Sequence, residues 1–343
     1  MMTSTTILRW ASAFPSPCLF FVPFANSQTS QTGAEDSAQH STPEQLVDAL
    51  NGVFGKQKPD ARAVHAKGID LTGVFRPSDA ASSVSKAPHL QKTIVSVTVR
   101  FSNFPGVTTV PDADGASSPR GMAIKFHLQD GSDTDIVAHS YNGFPTRTTD
   151  EFREFVIALG SSGRDAAKPT SLDAYLSTHP IAKTFLESQI QPPVSYATVS
   201  YFGMNAFKFS STQGKVTFGR YQIRPAAGNQ SASKDEVARA ASNYLSKEIR
   251  ERVTHGPVTF KLLLQIAEPE DNLNDPSIAW PDSRKQVELG TIEITKAVTD
   301  NAVAEHELLF LPGALPPGIE AEDPMIKARS DAYPVSFRRR SKK

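Results

Sequence analysis

Cysteine is almost missing from this chain: Cys18 is the only one in 343 residues. No internal disulfide can form, and neither a CxxC pair nor a thiol-rich metal site is available. Net charge is missing too, because Lys+Arg and Asp+Glu both total 36. Without an overall field, nothing in the composition favours nucleic acid, acidic lipid or another polyanion. The eight histidines include no HxxxH or similar ligand pair, which leaves zinc chemistry without support. The glycines form neither a GxGxxG nor a P-loop, so nucleotide binding has none either. Long apolar runs are also lacking: "ILRWASAFPSPCLFFVPFANS" is interrupted by Pro15, Pro17 and Pro23 and is too short and broken for a stable membrane span.

What is present suffices for a folded domain, since 39% of the residues are hydrophobic and a chain of this length can bury a sizeable core. The apolar stretch behind Arg9 has the layout of a secretory leader; the other reading is an N-terminal extension without fixed structure. The first predicts an exported protein, periplasmic or secreted, and the second a cytoplasmic one. The polar, small-residue run that follows reads as a flexible lead-in. Residues 1–41 are thereby set apart from a single domain over 42–343.

Thr42, Pro43 and Gln45 form a helix-start signature, and Leu46, Val47, Leu50, Val53 and Phe54 recur behind it at helical spacing. Alternation then takes over. In "TIVSVTVRFSNF", Val95, Val97, Val99 and Phe101 share one face, and Ser96, Thr98, Arg100 and Ser102 the other. The pattern returns in "MAIKFHL", "NAFKFSS", "KVTFGRYQIR", "PVTFKLLLQI" and "GTIEIT". Helical patterns interrupt it at about 149–159, 171–188 and 234–253. Strands without regular helical crossovers predict an antiparallel sheet, most economically closed into a barrel, in an α+β fold.

Three segments could carry chemistry. "RSDAYPVSFRRR" sets a lone tyrosine among arginines. A helix ending before Pro334 would place Arg329 and Tyr333 on one face, four residues apart. A phenol is neutral at physiological pH, but an adjacent guanidinium and a bound cationic metal both favour its anion. A helix C-terminus opposes that anion, so this reading requires the arginine and is completed by a metal. The other reading is a basic tail with an incidental tyrosine. In "RAVHAKG", His65 stands among small residues with Arg62 three positions earlier; it is either a hydrogen-bonded core residue or an acid–base group. Arg100 and Ser102 could supply a fixed cation and a hydroxyl that orients an imidazole, or belong to an ordinary solvated face. In "DIVAHSYNGFP", His139 and Asn142 precede Phe144, and Phe152 and Phe155 follow, lining either an apolar pocket or plain core.

In order along the chain, "RAVHAKG", "RFSNFPG", "SPRGMAIKF", "DIVAHS", "MNAFKF", "IAWP", "LPPGIEAEDPM" and "RSDAYP" resemble segments of the haem catalase family. The likeness runs from about residue 45 to 340 and points to the small catalase-related peroxidase branch. It implies a catalase-like eight-stranded antiparallel β-barrel with packed helices, binding haem b. By this resemblance Tyr333 matches the axial tyrosinate on the iron and Arg329 its hydrogen-bonding partner. Arg62, Arg100 and Arg340 match residues that pair with the haem propionates, while Arg338 and Arg339 can be plain tail charges. His65 matches the distal acid–base histidine and Ser102 the hydroxyl that holds it. Val64 and Phe152 match apolar residues flanking the haem, and Phe144 and Phe155 match the channel and pocket wall.

One departure stands out: His139 occupies the position where larger catalases have asparagine, with Asn142 as a candidate substitute. The resemblance implies reduction of hydrogen peroxide or an organic peroxide through a ferryl intermediate, with electrons from a small organic donor and some catalase activity. The shortened ends and His139 favour the peroxidase balance, and the shortened arms favour a monomer or homodimer. The competing readings are hydroperoxide rearrangement, as in catalase-related allene oxide synthases, and a non-catalytic barrel carrying haem or an apolar ligand.

Overall fold

The computed structural model describes residues 41–54, 61–163, 165–188 and 191–341. The leader and most of the lead-in expected before Thr42 lie outside the described residues. Helix α1, Pro43–Val53, starts on a capping box in which Gln45 N donates to Thr42 Oγ1 at 3.2 Å and Thr42 N to Gln45 Oε1 at 2.9 Å. Then come β1 (Gly68–Pro77), the short α2 (Ala81–Val84), β2 (Val95–Asn103), β3 (Arg120–His127) and β4 (Asp133–His139). Helices α3 (Thr149–Gly160), α4 (Ser171–Thr178) and α5 (Pro180–Glu187) lead to β5 (Tyr201–Phe202), β6 (Phe207–Ser210) and β7 (Val216–Pro225). After α6 (Lys234–Arg239) and α7 (Tyr244–His255) the chain forms β8 (Val258–Ile266), β9 (Gln286–Ala297), α8 (Asn301–Glu307), β10 (Ile319–Ala321) and α9 (Met325–Ser341).

All strand pairings are antiparallel, in the order β10-β6-β7-β5-β4-β3-β2-β1-β9-β8. A further pairing of β7 with β8 closes the ring, so β1, β2, β3, β4, β5, β7, β8 and β9 form an eight-stranded barrel without free edges. Side chains fill it. Val95, Val97, Val99 and Phe101 of β2 are buried with Phe75, Phe126, Phe260 and Leu264, each contributing about 1.5–3 kcal/mol by leaving water. On the other face of β2, Ser96 is exposed and Thr98 half-buried, but Arg100 and Ser102 are buried. The polar face is solvated at one end of the strand and covered at the other.

Three helical expectations are corrected. The segment 171–188 breaks at His179, whose non-helical backbone (φ −122°, ψ 76°) precedes Pro180, and the segment 234–253 breaks between Arg239 and Tyr244. The helix expected to end before Pro334 instead continues to Ser341. Proline removes one backbone bond there. The continuation is held by packing: Ala332 and Val335 share a buried cluster with Leu46, Val47 and Ala63, against which Leu50 and Phe152 pack. Tyr333 therefore sits in mid-helix, and the argument that a helix C-terminus opposes its anion does not apply.

Candidate active site

The covered end of β2 meets the segment between α1 and β1, where His65 lies. His65 has φ 56°, and among the described residues only glycines share a positive value. That conformation costs about 1–3 kcal/mol in a non-glycine residue and persists where its surroundings enforce it. Here His65 N donates to Phe104 O at 2.8 Å, and His65 O accepts from Arg100 Nη2 at 2.8 Å. The ring is fixed as well: Nδ1 lies 3.0 Å from Ser102 Oγ, and Phe104 meets it edge-on at 5.7 Å. Gly121 on β3 makes room for it, since an added Cβ would stand 2.6 Å from Ser102 Oγ and 2.8 Å from His65 Nδ1. Burial, with Arg100, Arg62 and Arg329 nearby, pushes the His65 pKa down to about 3, so the imidazole is neutral and basic at Nε2 or Nδ1.

His139 ends β4, opposite Gly121 in register, which brings the second imidazole to the same strand end. Its Nδ1 accepts a hydrogen bond from Tyr141 N at 3.3 Å, while its buried Nε2 has no partner among the described residues. A neutral ring that accepts at Nδ1 carries its proton at Nε2, and burial, then His65 and Arg329, hold the pKa at about 3. His139 is thus an N–H donor with no acceptor among the described residues. Asn142 is half-buried in the following loop and engages no hydrogen bond among the described residues. Phe144 approaches His139 at 6.4 Å and Phe152 at 4.8 Å, and Phe152 leads on to Phe155 at 6.4 Å. Val64 is half-buried beside Ala63.

Three guanidiniums converge next to His65. Arg62 donates to Leu308 O at 2.8 Å, Arg340 to the same oxygen at 2.8 Å, and Arg100 to His65 O. The Glu305 carboxylate clasps two of them, with Oε2 3.1 Å from Arg62 Nε and Oε1 2.7 Å from Arg100 Nε. Burial and the neighbouring Arg62 and Arg100 charges lower the Arg340 pKa to about 9, and its buried Nε has no partner among the described residues. Both oxygens of Asp70 are buried without hydrogen bonds among the described residues, 3.8 Å from Arg100 Nε at the nearer. Burial and the Glu305 charge push Asp70 up to about 7 against the pull of Arg100 and Arg62. The other terminal arginines differ: Arg338 is exposed, and Arg339 pairs with Asp48 of α1 at 2.7 Å.

On α9, Arg329 donates to the Tyr333 phenol oxygen from Nη2 at 2.8 Å and from Nε at 3.2 Å. The phenol accepts two hydrogen bonds and donates none among the described residues, the arrangement expected of an anionic oxygen ligand. Arg329 is itself held by Asn205 Oδ1, whose Nδ2 donates to Asp323 Oδ2 at 2.7 Å. Asp323 in turn accepts from Met325 N at 2.9 Å and fixes the start of α9. Gly121, Asn205, Asp323, Asp70 and Glu305 are not singled out by the sequence. Only their contacts mark them, and these contacts join residues far apart in the chain. Among the described residues no three histidine, cysteine or acidic side chains cluster as a metal site, and no helix is long and apolar enough to cross a membrane.

Comparison with known proteins bears on this geometry. The family model described as Catalase matches residues 21–342. A catalase-related peroxidase of Mycolicibacterium paratuberculosis is 35% identical over 304 residues, covering 88% of this chain and 95% of the relative. One from Synechococcus elongatus is 30% identical, covering 88% and 89%. Among solved structures, catalase A of Saccharomyces cerevisiae superposes with a TM-score of 0.73 at 20% identity, over 93% of this chain and 68% of that one. A fungal catalase superposes with 0.72 at 22% identity, and there the chain spans 66% of the solved protein. The closed antiparallel barrel agrees with these likenesses, and the chain belongs to the catalase family.

Proposed function

We propose that the chain is a haem peroxidase in which His65 moves the proton, His139 donates a hydrogen bond to the peroxide, and Tyr333 would hold the haem iron through its phenol oxygen. Dependence on haem iron and action on peroxide follow from membership of the catalase family; the residue roles are our reading. The carrying observation is the His139 Nε2, without a partner among the described residues, beside a neutral His65.

The residues present suit the cofactor. Arg62 and Arg100 already hold a carboxylate, that of Glu305, and Arg340 keeps a buried donor unused; a propionate is another carboxylate, for which the guanidinium fork is suited. Tyr333 presents an oxygen that only accepts, and Val64 and Phe152 offer apolar flanks. When bound, haem supplies the redox chemistry that splits the oxygen–oxygen bond. His65 accepts the peroxide proton at Nε2 while Ser102 holds Nδ1, then returns it to the departing oxygen. His139 Nε2–H orients the peroxide, as an amide N–H could. Arg329 stabilises negative charge on the Tyr333 oxygen, held in place by Asn205 and Asp323.

The peroxidase balance and an organic co-substrate are supported by a cavity of about 270 Å³ whose lining includes Phe54, Phe104, Tyr141, Phe155 and Phe185. Hydrogen peroxide is small and polar and gains nothing from such walls, whereas an organic peroxide or donor does. Phe104 joins this cavity to the site, lining the one and abutting His65 in the other.

The test uses haemin-loaded protein in a stopped-flow spectrometer. His65→Ala is expected to keep the Soret band and lose the fast spectral change on adding peroxide, by about 10²-fold or more. Tyr333→Phe should shift the ferric spectrum or shed haemin. A His65→Ala protein reacting at the wild-type rate would overturn the acid–base assignment.

A further inference from the structure

Helix α8 is seven residues long and none of them is buried. Its attachment is polar at both ends. At the start, Asn301 Oδ1 accepts from Asp70 N at 2.7 Å and Asn301 Nδ2 donates to Gly68 O at 3.3 Å. At the far end, the Glu305 carboxylate bridges Arg62 and Arg100, and the carbonyls of Glu305 and Leu308 receive Arg62 Nη2 at 3.2 and 2.8 Å. The fit is close: a Cβ added to Gly68 would collide with Arg100 Nη2 and Glu305 Oε1. Apolar burial, which would make the helix expensive to shift, is absent from it.

Competition for donors makes this arrangement provisional. Arg62, Arg100 and Arg340 bring three positive charges, and among the described residues the carboxylates set against them are Glu305 and Asp70. Glu305 is the one in direct hydrogen-bonded contact; among the described residues Asp70 makes no hydrogen bond through its side chain. Haem b brings two further carboxylates. The propionates call on the same guanidinium N–H groups that Glu305 now holds, Arg62 Nε and Arg100 Nε, and the carboxylate carried on a helix with no buried residue is the one that can leave.

We propose that Glu305 is a built-in competitor of the haem propionates: its carboxylate occupies the Arg62–Arg100 cradle in the cofactor-free chain and is displaced when haem enters. This rests on the reading of those arginines as propionate partners. Glu305 keeps the guanidiniums compensated and in place before loading, and in return it lowers the affinity for the cofactor. A residue that merely braced the site would act in one direction on both properties, whereas a competitor acts in opposite directions.

The experiment titrates the cofactor-free full chain with haemin, following the Soret band, and records thermal melting of the same unloaded protein. Glu305→Gln is expected to bind haemin about tenfold more tightly than wild type while its unloaded form melts at a lower temperature. Haemin dimethyl ester, which lacks the free carboxylates, should bind both proteins alike. Glu305→Asp, one methylene too short to bridge both arginines, should move affinity the same way by a smaller factor and serves if Glu305→Gln does not fold. Haemin affinity that is unchanged or weaker in these variants overturns the proposal and makes Glu305 a structural brace. Failure of wild type and variants alike to bind haemin would instead sink the reading of the arginines on which it rests.

Discussion

His139 is the residue at which this site departs most from what its sequence segments resemble, and its tautomer makes the departure chemically mild. With Nδ1 engaged by Tyr141 N and Nε2 free, the ring offers one N–H, as an amide would. His139→Asn is therefore expected to keep peroxide turnover within a few-fold of wild type, whereas His139→Ala should lose about 10²-fold in kcat. Equal losses in both would show that the ring is needed for something other than donating a hydrogen bond. Gly121 gives a second test. Gly121→Val puts atoms where Ser102 Oγ and the His65 ring lie, so the peroxide reaction should slow by about tenfold or more while the Soret band remains, measured by stopped flow. Of these residues His65, Ser102 and His139 can be read from their segments. Gly121 cannot, because a glycine in a strand gives no sign of which side chain fills its missing volume.

At the scale of elements, α9 carries the most and is the least legible. Pro334, the residue after Tyr333, ordinarily marks a helix boundary, since proline withdraws a donor and crowds the preceding turn. Here the apolar contacts of Ala332 and Val335 with α1 and Ala63 outweigh that loss, and the longer helix carries Arg340 back to Leu308. Breaking those contacts should show what they contribute. Val335→Asp places an unpaired charge in the cluster and is expected to lower stability by about 3 kcal/mol, seen in denaturant unfolding, with weakened haemin retention by absorbance. Unchanged stability would mean that α9 is held by its polar contacts alone. Strands are easier to read than helices in this sequence: alternation exposes β2, β3 and β6 to β9, while β5, two residues long, is too short for any periodicity.

For the whole molecule, the closed barrel follows from repeated alternation, but the chemistry depends on which end of it is covered, and that is decided by helices distant in sequence. Burial of ionisable groups also sets a pH dependence. His65, His89 and His139 are each pushed down to about 3, burial being the first cause in all of them. Between about pH 6.5 and 3 the unfolded chain binds protons that the folded histidines refuse, so stability falls as pH drops through 6.5, by about 1.4 kcal/mol per unit for each histidine not offset. Asp70, raised to about 7, opposes one of the three, because the folded chain retains its proton where the unfolded chain has released it. The cofactor-free protein should therefore melt progressively earlier from about pH 6.5 to 5. A melting temperature that is flat or rises across that interval would contradict the neutral state of the imidazoles.

The central claim is that a haem lies between the histidine of the segment before β1 and the tyrosine of α9. Its most direct test is a crystal structure of the haemin-loaded chain. The account predicts iron bonded to the Tyr333 oxygen, with the His65 ring on the opposite face of the macrocycle. Iron held by any other side chain, or a macrocycle bound elsewhere on the barrel, would contradict it.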